Sequence, residues 1–586
     1  MTYPKSLLHV ATDRRVVELI VRARMTLRRF RRDKLFFDRL AVTGQNYAQA
    51  GDKILQDLLP PRREWPRPSL SSRKRALERG GDAIAELMVK HIMRKWSEPN
   101  QHAPAWLQEL RRFSARIRRR LRHWDTDDLL VPSRIIPQLK KRGEAPDEPD
   151  QYRCLAVYSL EDKLIISLTA EYLRKLTDSV MHLGSLAFRV ARDGNPPPNH
   201  HTAAKKIIEF RHQKLDGRKK NIWISEVDIR GFFDAVSHDI ARKSVSRLLD
   251  RLHASVVVDQ RALAILDSYL DGYSFNVLAR SKAYDALRSG RRHREAEIPW
   301  PEEALKKLGC RVESDPIGIP QGGALSCFLA NAILDEADWK VESSAMTDPK
   351  GASLYLRYCD DIIILARSRR LATRMLKGYL ASLQSLKLPC HEPNRFDRVY
   401  GAIPESHTSH GFWACKSKTP YAWAAKGKPG RVPWCSFVGY QIRYDGVVRV
   451  RPSSIQKEKT KQNEVAKRAI EGVRKQGQER TRNQIVYRLR QRLRSMAVGT
   501  SRLDLGHARA PFCWAGGFRL LEDHIVVATQ LRELDRNRNR NLTRVHRLLQ
   551  QGTGQRGGAT SSTGWHLLFE GYPFSYGAIP RQSKGS

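Results

Sequence analysis

The sequence predicts a mixed α+β chain, and three observations predict it. In Leu354-Tyr355-Leu356-Arg357-Tyr358-Cys359-Asp360-Asp361-Ile362-Ile363-Ile364-Leu365, apolar and β-branched runs flank two adjacent carboxylates, as two half-buried strands joined by a tight turn would. In Ser225-Glu226-Val227-Asp228-Ile229-Arg230-Gly231-Phe232-Phe233-Asp234, a strand ends on an acid and runs into a glycine turn with two aromatics. The longer stretches carry apolar residues at helical spacing, among them 241–315, 371–388 and 483–496, the last with Ile485, Val486 and Leu489 as its buried stripe.

Composition bounds the class. At 586 residues, two to four structural units are expected. Lys and Arg number 105 against 62 acids, a net charge of +43, which points to nucleic acid as the polyanionic partner. An anionic membrane surface is the competing explanation, but no stretch approaches the roughly 20 apolar residues of a spanning helix, and the N-terminus lacks the pattern of a signal peptide. The eight cysteines are scattered without a Cys-x-x-Cys pair, which argues against zinc knuckles and a disulfide framework and for reduced thiols in a cytoplasmic protein.

In chain order, residues 1–59 read as helices, since Val16, Val17, Leu19, Ile20, Leu27 and Phe30 recur near helical spacing among arginines. A solvated basic face and an RNA-contacting one fit equally. The proline-rich stretch 60–69 marks a linker. A second helical region ends in Arg111-Arg112-Phe113-Ser114-Ala115-Arg116-Ile117-Arg118-Arg119-Arg120-Leu121-Arg122, whose charges repel one another unless phosphates neutralise them. Residues 143–150 read as an exposed loop and 193–201 as a turn. Arg288, Arg291, Arg292 and Arg294 line a channel or a solvated loop. Residues 400–434 read as an inserted loop region in which aromatics stand among lysines. Asp445-Gly446 reads as a hairpin turn, the run Arg536–Arg540 as helical, residues 552–563 as disordered and 571–576 as an apolar anchor.

The acids carry the chemistry. Adjacent carboxylates repel, and a hard divalent cation resolves that cost. If Asp228 lies beside Asp360-Asp361, the three can hold two ions about 4 Å apart, as in-line phosphoryl displacement requires, with the Ile229 carbonyl as a further ligand. Between them, Ile319-Pro320-Gln321-Gly322-Gly323-Ala324-Leu325-Ser326 opens a helix. Its glycines permit close approach of a backbone or ligand, and Gln321 offers a donor and an acceptor there. A plain helix-entry turn and a solvated hairpin are the bland alternatives.

At these residues the chain resembles the reverse transcriptases, and specifically the bacterial group II intron type. Asp-Ile-x-x-x-Phe-Asp, then Pro-Gln-Gly-Gly with Leu329-Ala330-Asn331, then Arg-Tyr-x-Asp-Asp stand in that family's order, and Phe437-Val438-Gly439-Tyr440-Gln441-Ile442 resembles its primer grip. Tyr152-Arg153-Cys154-Leu155-Ala156-Val157 with Leu160-Glu161-Asp162-Lys163, and Ser185-Leu186-Ala187-Phe188-Arg189, are looser matches; together the likeness covers roughly residues 130–460.

The resemblance implies a right-hand polymerase: a basic helical N-terminal region (1–142), fingers (143–225), an antiparallel-sheet palm with inserted segments (226–450), and a helical thumb with a C-terminal extension (451–586). It implies Asp228, Asp360 and Asp361 as catalytic residues, holding two Mg2+ ions with Mn2+ as a substitute. Arg153, Phe233, Gln321 and Gly322 would bind the deoxynucleoside triphosphate, with Arg153 on the phosphates and Phe233 as the steric gate excluding a 2′-hydroxyl. An ion pair of Arg153 with Glu161 or Asp162, and a core role for Phe233, are the alternatives. The chain departs from the family where a lysine able to protonate pyrophosphate is usual: it has Pro389-Cys390-His391-Glu392-Pro393-Asn394-Arg395, so that His391, Arg395 or water would substitute.

No Cys/His endonuclease cluster is seen, a pattern similar to stand-alone reverse transcriptases of phage defence, which commonly use a partner non-coding RNA. The expected partners are thus an RNA template, a DNA product and deoxynucleotides, with no membrane and with homo-oligomerisation open. A maturase-like RNA-binding protein and an RNA-copying RNA polymerase are the other readings. The primer, a nucleic acid end or a tyrosine hydroxyl such as Tyr572 or Tyr576, stays open.

Overall fold

Alternating burial builds the first sheet. In strand β2 (Asp150–Val157), Tyr152, Cys154 and Ala156 point inward, and β1 (Arg134–Lys141) pairs antiparallel with it from Arg134↔Val157 to Leu139↔Tyr152. Lys141 then faces Gln151, which leaves Lys140 as the extra residue of a β-bulge. Within 143–150, read as an exposed loop, the Gly143 amide donates to Asp150 Oδ1 at 3.1 Å, and Asp150 is already the first residue of β2.

The computed structural model describes residues 3–38, 50–125, 127–145, 147–191, 196–215, 222–289, 295–394, 412, 415–424, 431–476, 482–499, 514, 525–551 and 574. The chain falls into two compact units, one of residues 1–15 and 114–438, the other of 16–113 and 439–586, so the region 1–142, expected as one piece, is divided between them.

The first unit continues through β3 (Ile222–Val227), β4 (Ala296–Glu297), β5 (Ser353–Tyr358), β6 (Asp361–Ala366), β7 (Lys418–Trp423) and β8 (Arg431–Val432). β4 adds to β2 in parallel, and the other five form a sheet of order β5-β6-β3-β7-β8. β3 and β6 are buried along nearly their whole length, as central strands covered on both faces must be. Helices Arg369–Ser385 and Ala324–Ser343 pack on this sheet, and Leu160–Thr177 and His238–Asp250 pack on Ala324–Ser343, which is largely apolar and correspondingly buried.

β7 corrects the reading of 400–434 as an inserted loop. Lys418–Trp423 pairs with β3 from Ile222↔Trp423 to Glu226↔Lys418. Thr419, Tyr421 and Trp423 have the strand-forming side chains, but Gly- and Lys-rich flanks mask so short a run. Most of 395–430, Arg395 included, lies outside the described residues.

The arginine-rich helix Ala105–Arg122 is also corrected, because acids brought from elsewhere neutralise much of it. Arg118 pairs with Asp13 at 3.1 Å, Arg120 with Asp128 at 2.6 Å and Asp162 at 2.7 Å, and Arg116 with Glu161 at 3.3 Å. Arg111 donates to the Glu98 carbonyl at 2.7 Å near the end of helix Ala83–Lys95. Arg119 and Arg122 are exposed.

The second unit contains helices Pro452–Gln476, Arg482–Val498 and Ile525–Gln551, packed through Ala466, Ala469, Ile485, Leu489, Leu493, Leu542 and Val545. Ile485, Val486 and Leu489 are buried as their spacing predicts, and Arg536–Arg540 is helical. Asp445-Gly446 turns between the antiparallel strands Tyr440–Arg443 and Val448–Val450. Within 571–576 only Phe574 is described; it is buried, and its amide donates to Asp535 Oδ1 at 2.9 Å. Residues 552–563, Tyr572, Tyr576, Arg291, Arg292 and Arg294 lie outside the described residues, as do 193–195 of the predicted turn, whose far end, His200 and His201, instead opens helix His200–Leu215. Among the described residues no helix is long and apolar enough to cross a membrane, and no disulfide joins the cysteines.

Candidate active site

Register brings the acids together. β3 pairs with β6 from Trp223↔Ala366 to Val227↔Ile362, so one further step sets Asp228 against Asp361, the first residue of β6. Tyr358 pairs with Asp361, which leaves Cys359-Asp360 as a two-residue turn. Cys359 has φ 60°, a left-handed value that hairpins normally give to glycine.

A buried arginine holds that turn. Arg357 Nη1 donates to the Cys359 carbonyl at 3.1 Å and to Asn331 Oδ1 at 3.0 Å, while its Nε and Nη2 grip both oxygens of Asp338. Asn331 in turn donates to the Ala187 carbonyl at 2.8 Å, and the Leu186 amide donates to the Arg357 carbonyl at 2.9 Å. The Ser185–Arg189 block is therefore structural support for the tip. Arg189, itself buried, binds Asp178 and the carbonyls of His182 and Ser185.

Asp360 carries a carboxyl held above the usual range, first by burial and then by the negative charge of Asp228, with the charges of Lys416 and Arg357 opposing. Asp361 is exposed. Asp228 is fixed through its backbone: its amide donates to Ser417 Oγ at 3.0 Å, and its carbonyl accepts from the His391 amide at 3.0 Å. Ile229 lies opposite Cys390 in this bridge, and its carbonyl takes no part in the flanking bonds.

The Asp228 side chain already has a cation. Lys416 Nζ stands 2.9 Å from Asp228 Oδ2 and 3.2 Å from His391 Nε2. Burial and then the Lys416 charge push the His391 imidazole down, so it is neutral and accepts from the lysine; its 3.5 Å approach to Asp228 is not an ion pair. Lys416 is a residue the sequence reading missed. It precedes β7, and Lys418 anchors that strand by donating to Glu226 Oε2 at 2.5 Å, beside the Tyr421 hydroxyl on Glu226 Oε1 at 2.6 Å.

Among the described residues no three His, Cys, Asp or Glu side chains are gathered closely enough to hold a metal ion. The donors nevertheless fit a hard divalent cation in kind: the charge of Asp228 adds to burial in raising the proton affinity of Asp360, and an ammonium is drawn onto Asp228, so the fold demands positive charge at this point.

Beside the acids, the turn after β3 and the turn before helix Ala324–Ser343 are joined. The Ile319 amide donates to the Phe233 carbonyl and the Gly318 amide to the Val236 carbonyl, both at 2.7 Å. Phe232 is buried; Phe233, edge-on to it at 5.3 Å, is half-exposed. Gln321 Nε2 donates to both oxygens of Asp234, at 2.8 and 3.0 Å. Gly322 is exposed at φ 109°, and a Cβ at Gly323 would lie 1.9 Å from the Tyr269 hydroxyl.

Burial pushes the Asp234 carboxyl up to about 7, against the Gln321 hydrogen bond and the charges of Lys140 and Arg153. The β1-β2 hairpin thus brings those two cations within electrostatic reach of this site, and Lys140 also acts on His391. Arg153 makes no ion pair with Glu161 or Asp162, the alternative to a phosphate role. Its Nε donates to Gln138 Oε1 at 2.7 Å, because Arg116 and Arg120 have taken Glu161 and Asp162. Lys140 was also missed, since a bulge is set by pairing and not by composition.

No protein-family model matches the chain. It is similar to Protein YkfC of Escherichia coli (strain K12), 22% identical over 290 residues, which are 45% of this chain and 61% of that protein, so the match spans less than two thirds of the relative. Among solved structures, it is similar to apo telomerase from Candida tropicalis at 11% identity, a TM-score of 0.30 and 97% and 98% coverage of the two chains. A form of that enzyme truncated from the C-terminal domain matches at 13% identity and a TM-score of 0.29, over 55% of each chain. Likenesses this slight leave the function to be argued from the chain's own residues.

Proposed function

We propose that this chain is an RNA-directed DNA polymerase, a reverse transcriptase that extends a primer on an RNA template by nucleotidyl transfer. The observation that carries the reading is the meeting of Asp228 with the Asp360-Asp361 turn at one end of the central sheet, in a field that calls for added positive charge. The order of the motifs along the chain and the net charge of +43 agree with it. In this reading the five-stranded sheet is the palm, the β1-β2 hairpin belongs to the fingers, and the helices from Pro452 onward are the thumb.

Bound Mg2+, held by Asp228, Asp360, Asp361 and the Ile229 carbonyl, would supply the acidity that a primer 3′-hydroxyl needs at neutral pH. The remaining work falls to the chain. Lys140 and Arg153 stand on the hairpin as cations for the triphosphate. Lys416 neutralises Asp228 in the absence of a ligand and is placed beside neutral His391. The half-exposed ring of Phe233, backed by buried Phe232, serves as the floor under the sugar, where a 2′-hydroxyl would clash. The Arg357 scaffold keeps the strained Cys359-Asp360 turn in place.

A role with a partner non-coding RNA in phage defence is the biological setting proposed. A maturase-like RNA-binding protein is the second reading; exposed Arg119 and Arg122 fit phosphate contact, but it assigns no task to the three converging carboxylates. The test is purified protein with Mg2+, a primed RNA template and deoxynucleotides. Extension with DNA supports the reading; extension only with ribonucleotides favours an RNA polymerase, and RNA binding without synthesis on any primer favours the binding protein.

A further inference from the structure

Asp234 is a buried carboxylate for which nucleotidyl transfer has no direct use, yet it is held on every side. Its amide donates to the Gly231 carbonyl at 2.8 Å, its carbonyl accepts from Trp300 Nε1 at 2.7 Å, and both side-chain oxygens accept from the one Gln321 amide nitrogen. The Gln321 turn is pinned as well, since its backbone carbonyl accepts from the Ala156 amide at 3.0 Å. An ionised carboxylate offers only acceptors, so the glutamine NH2 must face it and a flipped amide would set oxygen against oxygen. The Gln321 side-chain oxygen is then left pointing away from Asp234, on a half-buried residue of the turn that resembles a nucleotide site.

Resting on the polymerase reading above, we propose that Asp234 is a positioning residue that locks the Gln321 amide with its oxygen outward. Gln321 thereby becomes an obligate acceptor for a donor group of the bound nucleotide, a sugar hydroxyl or an exocyclic base amine.

The lock has a consequence in pH. Lys140 and Arg153 of the hairpin act on Asp234 electrostatically and oppose its rise. Cys154 and Tyr273, also near, are pushed by burial to higher values, the thiol to about 12, and stay neutral. Below about pH 7 a protonated Asp234 can donate to Gln321, the amide is free to turn, and the outward acceptor is lost.

The experiment is steady-state extension of a primed RNA template with Mg2+ by the full chain, Asp234→Asn, Gln321→Met and the double variant. Asp234→Asn is expected to raise KM for deoxynucleotides about tenfold with kcat little changed, a cost typical of a lost hydrogen bond to a charged group. Gln321→Met should do the same, and the double variant should be no worse than either, because both remove one interaction. For the full chain, KM should rise as pH falls below about 7, and in Asp234→Asn that slope should be absent; the wild-type profile stands even if the variants fold poorly.

A KM penalty confined to nucleotides with a 3′-hydroxyl assigns the donor to the sugar, and one confined to bases carrying an exocyclic amine assigns it to the base. Additive effects in the double variant, an unchanged KM, or a loss in kcat alone overturns the lock while leaving the polymerase reading intact. A full chain that neither binds nucleotide nor makes DNA overturns both.

Discussion

Arg357 and Asp338 form a two-pronged ion pair, Nε to Oδ1 at 2.8 Å and Nη2 to Oδ2 at 2.6 Å, with both side chains completely buried. The same guanidinium donates to the carbonyl of Cys359, so the pair ties helix Ala324–Ser343 to the strained turn that presents Asp360.

Breaking this pair from one side strands a buried charge. Asp338→Ala is expected to destabilise the fold by about 3–5 kcal/mol in urea unfolding. At a temperature where the variant is still folded, it should also lower DNA synthesis, because the turn loses the donor on Cys359.

Asp360→Asn should behave in the opposite way. The carboxyl is raised in the folded chain, so it contributes stability that is present at low pH and is lost as pH rises through its folded pKa. At neutral pH without divalent cations, the variant should melt higher than wild type. DNA synthesis should fall about 10²–10³-fold or more, and the double change Asp360→Ala with Asp361→Ala should abolish it while RNA affinity is retained.

Lys416→Ala separates charge from scaffolding. The side chain is more than half exposed, so thermal stability should change by less than about 1 kcal/mol. With the resident ammonium gone, Mg2+ should raise the melting temperature at lower concentration than in wild type. An unchanged Mg2+ midpoint would mean that the lysine does not occupy the cation's place.

Phe232 and Phe233 should part company. Phe232→Ala empties a core position and should cost about 3–5 kcal/mol. Phe233→Ala should leave stability closer to wild type and lower the preference for deoxy- over ribonucleotides by about tenfold or more, measured as the ratio of kcat/KM values.

Asp234 gives a stability profile of defined sign. Its folded pKa of about 7 lies above the unfolded value, so its contribution is fully present below about pH 4 and is lost as pH rises through 7. Asp234→Asn should flatten that part of the unfolding curve measured between pH 4 and 8.

The strand-turn-strand at 354–365, the strand ending at Asp228 and the helix after Gly323 were legible because each rests on local chemistry: period-two burial, a tight turn, a helix entry. So was the inward stripe Ile485, Val486 and Leu489. β7 was not, because its strand-forming residues lie in a lysine-rich neighbourhood and its pairing is with β3, almost two hundred residues upstream. Nor was the fate of the arginine-rich helix, since the acids that neutralise it, Asp13, Asp128, Glu161 and Asp162, come from other elements.

By itself the sequence determined the α+β class, the identity of the acids, their order and the turns that carry them, because backbone propensity and side-chain chemistry act over a few residues. Tertiary structure decided which charges meet: Lys416 on Asp228, Lys140 within electrostatic reach of Asp234, Arg153 turned to Gln138, and Gln321 donating to Asp234. Electrostatic strength depends on distance and burial, and neither is defined until remote segments pack, so the same carboxyl can be an ordinary surface acid or a neutral-pH switch according to what the fold sets against it.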